Sequence, residues 1–211
     1  MRRRTRLKWL MYMLLASDCA MTCLGQYRVL PGKTNADGLP ETPARICLGA
    51  AGTEHCYTPP SEKYVFGLEP NARVVAKLNG RNLILFTATF SGGGSGTLSN
   101  LALLEEQSCD FLDLLPTVQL TNQSEYKLWN LPQLSNLPAL VTADFVWDFK
   151  AAETHFAPHR YTINMYVFDP KLGRYQQRIQ YVTAKKYPGL DDSDSIRVLD
   201  AEKAAILTRL R

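Results

Sequence analysis

No apolar run in this sequence is long enough to cross a bilayer. The longest, Trp9 to Ala16, has eight residues, against the roughly 20 that a spanning helix needs. The motifs that advertise catalysis are missing as well. There is no Gly-x-Ser-x-Gly elbow, Walker loop, dinucleotide fingerprint, His-Glu-x-x-His or Cys-x-x-Cys. Ser91-Gly92-Gly93-Gly94-Ser95-Gly96 is glycine-rich, but no Lys-Ser/Thr closes it and Thr97 stands where an elbow needs its last glycine. It therefore reads as a hairpin loop and not a phosphate cradle. With only 3 histidines, imidazole ligands are scarce. These absences favour a non-enzyme.

An excess of one charge is also lacking once the N-terminus is set aside. Arg2, Arg3, Arg4, Arg6 and Lys8 precede the short apolar run, and Cys23-Leu24-Gly25 offers small residues before a cut, the pattern of an export signal over 1–25. That segment holds five of the 24 Lys+Arg and, in Asp18, one of the 20 Asp+Glu, so the remaining 186 residues balance at 19 against 19. The basic character thus belongs to the signal, and nucleic acid is excluded as the expected partner. Arg3-Arg4 also approximates a twin-arginine signal. Cys19 and Cys23 each follow an approximate lipobox, so contact with a membrane is expected only through a lipid anchor at one of them. The expected location is periplasmic or extracellular.

What is present is period-two alternation. Residues 26–46, with Pro31, Gly32, Gly38, Pro40 and Pro43, read as a flexible leader, and 47–211 as a single β-rich domain. Cys47 and Cys56 enclose a short loop and are expected to pair, whereas Cys109 is left over as a small buried hydrophobe. Ala72–Leu78, Asn79-Gly80 and Asn82–Phe90 spell a hairpin with a two-residue turn. Asn122-Gln123-Ser124 matches a glycosylation acceptor, discounted because the signal has a bacterial style. From Asp200 onward, Glu202, Ile206, Leu207, Leu210 and Arg209 predict a C-terminal helix capped by Asp200. The fold class is mainly β, antiparallel sheets built from hairpins, with that one α-helix.

The densest information lies in 139–183. Leu140–Phe149 predicts a strand with Val141, Ala143, Phe145, Trp147 and Phe149 on one face and Asp144, Val146 and Asp148 on the other. Tyr161–Phe168, the Asp169-Pro170-Lys171-Leu172-Gly173 turn and Arg174–Tyr181 predict a hairpin with Tyr175, Ile179 and Tyr181 sharing one face. Between these strands lie Glu153, His155 and His159. As metal ligands, zinc being the ion such a set would suit, they define the alternative reading, a metal-dependent hydrolase with an aspartate as base, although Pro158 argues against a helical pair. No cofactor is expected for the leading reading. In it, Asp144, Trp147, Asp148, His155 and His159 form a binding rim on loops joining rigid strands.

The order of features here resembles the periplasmic lysozyme inhibitors of the calcium-dependent kind. That family shows an Asp-x-Asn-x-Asp-Gly segment, an aromatic strand and an Asp-Pro-x-x-Gly-Arg-Tyr/Phe turn. Asp144-Phe145-Val146-Trp147-Asp148 stands for the first, and Tyr166-Val167-Phe168-Asp169-Pro170-Lys171-Leu172-Gly173-Arg174-Tyr175 for the rest. Val146 replaces the middle oxygen ligand and Phe149 the glycine, which removes two elements of a calcium loop. The resemblance implies a β-rich envelope protein that binds another envelope or extracellular protein.

Overall fold

The computed structural model describes residues 27–60, 66–91, 97–117, 119–122, 125–147, 157–188 and 197–210. The strands are β1 (Tyr27–Leu30), β2 (Lys33–Thr34), β3 (Pro40–Thr42), β4 (Arg45–Leu48), β5 (His55–Tyr57), β6 (Glu69–Leu78) and β7 (Arg81–Ser91), then β8 (Thr97–Glu106), β9 (Phe111–Asp113), β10 (Gln119–Asn122), β11 (Glu125–Trp129), β12 (Ala139–Phe145), β13 (Tyr161–Asp169) and β14 (Arg174–Val182). Among the described residues one helix, α1 (Val198–Thr208), follows. All strand pairing among the described residues is antiparallel, as the alternation predicts.

The chain builds layers. A small sheet, β1-β4-β5, packs Ala44, Ile46 and Leu48 against Ile84, Phe86, Ala102 and Leu104 of the second sheet, β10-β8-β7-β6. The other face of that sheet, through Leu83, Leu85 and Leu103, meets Leu140, Tyr166, Phe168 and Tyr175 of the third sheet, β11-β12-β13-β14. The far side of the third sheet (Val141, Ala143, Ile163, Met165, Val167) takes Val198, Leu199 and Ile206 of α1. Central strands such as β13 are therefore buried on both faces, with Ile163 and Met165 on one and Tyr166 and Phe168 on the other.

The local turn signals hold. Asn79 and Gly80 both have positive φ, 51° and 82°, and join Leu78 to Arg81 as a two-residue hairpin loop. Asp169 pairs with Arg174, its carboxylate accepts the Lys171 N–H at 2.9 Å, and Gly173 has φ 64°. Cys47 and Cys56 face each other across β4–β5 in a disulfide, with Cα atoms 4.0 Å apart.

Three expectations change. Residues 27–46 are not a leader but supply β1 to β3 and part of β4, with Val29 opposite Ile46; Pro and Gly there mark turns between short strands. Cys109 is not a lone thiol but disulfide-bonded, to a partner outside the described residues. Tyr175 does not share a face with Ile179 and Tyr181. The register of β13–β14 shifts so that Tyr166 pairs with Gln177 while Met165 pairs with Ile179. The extra residue, Arg178, forms a bulge that reverses the alternation. Tyr175 thus joins the inter-sheet core, and Ile179 and Tyr181 face α1.

The helix starts at Val198 with Arg197 as N-cap and no side-chain cap of its own, so Asp200 lies in the first turn. The cap comes from β11: Glu125 Oε2 accepts the Leu199 N–H at 2.9 Å, and Lys127 bridges Glu125 (3.0 Å) to Asp200 (2.6 Å). Glu202, only 9% exposed, accepts hydrogen bonds from Tyr181 OH at 2.7 Å and from Tyr187 OH. Burial, then the Glu202 carboxylate, pushes both tyrosines well above the usual phenol range.

Candidate functional site

Two groups of the expected rim residues are described, and the fold separates them. β12 ends at Phe145, and the pairing continues one step, Val146 N–H donating to Arg160 C=O at 3.0 Å. Alternation then sends Phe145 and Trp147 to the α1 side and Asp144 to the side of the second sheet. Asp148, Glu153 and His155 lie outside the described residues.

On the α1 side the rings form one stack. Phe145 lies 3.7 Å from the His159 ring and 4.9 Å from Trp147, and it meets Tyr161 edge-on at 5.7 Å. Trp147 meets His159 edge-on at 5.7 Å, and Tyr161 reaches Tyr187 at 6.2 Å. His159 exchanges both backbone hydrogen bonds with Tyr187, at 2.8 and 2.7 Å, and its Nδ1 sits 3.3 Å from Val146 C=O. Its exposure is 0%, so it belongs to the interior and not to the rim. Trp147 remains half-buried at the edge of the stack. Tyr161 is enclosed too, its phenol raised to about 12 by burial and by nearby Glu125.

On the opposite face, Asp144 is the end of a polar chain that sequence parity does not reveal. Thr142 Oγ1 and Asn164 Nδ2 each donate to Asp144 Oδ2 at 3.1 Å. Asn164 Oδ1 in turn accepts from Gln177 Nε2 at 2.9 Å and Gln180 Nε2 at 3.1 Å. Residues 177 and 180 differ by an odd number, and only the Arg178 bulge lets both amides reach one acceptor. Asp144 Oδ1 is buried without a hydrogen-bond partner. Burial raises the carboxyl to about 6 against the lowering effect of Thr142 and Asn164. No histidine or second carboxylate is hydrogen-bonded to Asp144 among the described residues, so it has no partner there for divided acid–base roles.

The remaining enclosed carboxylates are engaged in framework pairs. Asp113 accepts from Tyr57 OH at 2.6 Å, and burial raises its carboxyl. Glu106 accepts from Asn82 at 2.6 Å, and Glu105 pairs with Arg81 at 3.4 Å. Among the described residues, no group of three or more His, Cys, Asp or Glu is arranged to hold a metal ion. No helix there is long and apolar enough to cross a membrane. No protein-family model, curated protein or solved structure matches the chain.

Proposed function

We propose that this chain is an exported, non-catalytic binding protein that takes another envelope or extracellular protein at the edge presenting Trp147. The observation that carries this reading is the half-buried Trp147 backed by the fixed Phe145–His159 stack. A large ring held in one orientation by buried neighbours loses little entropy on docking, the property of an interface anchor. The Cys47–Cys56 disulfide supports an oxidising compartment, and the N-terminal basic-apolar segment supports export. The resemblance to lysozyme inhibitors offers a first partner class to try.

The test is binding to lysozyme, read as loss of lytic activity, together with capture from an envelope extract, using the wild-type chain and Trp147→Ser. Specific, saturable capture that the substitution weakens at least tenfold, with an unchanged melting temperature, supports the reading. A near-stoichiometric bound zinc whose removal abolishes a hydrolytic activity overturns it in favour of the Glu153, His155 and His159 hydrolase. If Trp147→Ser unfolds the chain, charge reversal at exposed neighbours such as Arg160 replaces it, with the same tenfold criterion.

A further inference from the structure

A cleft lies at the other end of the third sheet. Along β13, Val167 is six positions from Tyr161, or about 20 Å at the rise of a strand, so this region is separate from the Trp147 edge. Here Leu134, Val167, Arg178, Arg209 and Leu210 line an open-sided cleft of about 350 Å³. That is the lower end of the roughly 300–1,000 Å³ of small-molecule sites.

The lining combines apolar walls with two cations. Arg178 is the bulged residue of β14, turned to this side by the register shift. It is 54% exposed and reaches Asp169 only at 3.7 Å. Arg209 follows α1, sits over Tyr181 with its guanidinium carbon 4.0 Å from the ring centroid, and donates to Ala205 C=O at 3.0 Å. No carboxylate pairs with Arg209 among the described residues. Guanidinium groups stay charged and present several N–H donors in a planar fork, so most of their donors remain available to a ligand. With Arg178 half-compensated by Asp169 and Arg209 in no ion pair among the described residues, the cleft favours an anion of low charge. The walls of Leu134, Val167 and Leu210 favour an apolar body attached to it.

We propose that this cleft binds a small amphipathic carboxylate, with its acyl chain against Leu134, Val167 and Leu210 and its carboxylate taken by Arg178 and Arg209. A carboxylate matches the arginine fork as a bidentate acceptor. The cleft volume limits the chain to a short or medium length.

The experiment is calorimetric titration of the full chain with octanoate at neutral pH, alongside butyrate, octanol and octyl phosphate. Saturable octanoate binding is expected, weakened about tenfold in Arg178→Gln and in Arg209→Gln, as loss of a charge-assisted hydrogen bond dictates. Arg209→Lys, which keeps the charge but not the fork, should fall between. Butyrate and octanol should each bind at least tenfold more weakly than octanoate. Equal binding of octanol, tighter binding of octyl phosphate, unchanged affinity in the arginine variants, or no octanoate binding each overturns the proposal. If Arg209→Gln lowers the melting temperature through its stack on Tyr181, Arg178→Gln, at an exposed position, decides.

Discussion

Asn164 Nδ2 lies 3.1 Å from Asp144 Oδ2, while the other oxygen of the same carboxylate is buried and unpaired. One half of Asp144 is thus hydrogen-bonded and the other half is desolvated without return. The balance is a carboxyl raised to about 6 from the usual 3.8.

A raised carboxyl means the folded state holds its proton more tightly than the unfolded chain does. The contribution to stability is then most favourable below the unfolded value and is lost as pH rises through about 6. The rise from 3.8 to about 6 corresponds to about 3 kcal/mol that the ionised form withholds at neutral pH. Asp144→Asn keeps an acceptor for Thr142 and Asn164 and removes the charge. Urea unfolding should show the variant more stable than wild type by about 1–3 kcal/mol at pH 7.5, with the difference vanishing near pH 4. An equal difference at both pH values would show that Asp144 does not titrate in this range.

Glu202 ties α1 to the third sheet and to the segment carrying Tyr187, because both phenols donate to it. Glu202→Ala leaves two enclosed hydroxyls without their acceptor. The expected loss is about 2–4 kcal/mol, read as a lower urea midpoint and earlier proteolysis around α1, with Glu202→Gln retaining part of it. An unchanged midpoint would mean that α1 is held by its apolar face alone.

Cys109 is disulfide-bonded, and Cys47 is joined to Cys56. The expected outcome is an oxidised chain in which none of these three cysteines offers a free thiol. Thiol titration under denaturing, non-reducing conditions, with peptide mapping before and after reduction, checks this. A titratable Cys109 thiol would overturn it.

Part of the candidate site was legible in residues alone. Alternation places Asp144 and Trp147 on opposite faces, as the structure has them. His159 was misplaced because its 0% exposure comes from stacking on Phe145 and bridging to Tyr187, a partner 28 positions on that carries no local signal. Asn164, Gln177 and Gln180 were missed for a related reason. Polar residues on alternating positions look like a wet face until a bulge turns two of them toward one acceptor.

What the sequence by itself determined is what short-range chemistry can specify. The Asn79-Gly80 turn, the Asp169–Gly173 turn, the period of two in β12 and β13, the C-terminal helix and the Cys47–Cys56 pairing each depend on residues within about a dozen positions. Tertiary structure decided the rest: the recruitment of 27–46 into strands, the reversal of faces at Arg178, the capping of α1 by Glu125 from 74 positions away and the cleft shared by Arg178 and Arg209. Their physical reason is the same. A strand of few residues, an uncapped helix start or a bulge is stabilised only by the partner it meets in space, and packing can override what the local pattern prefers.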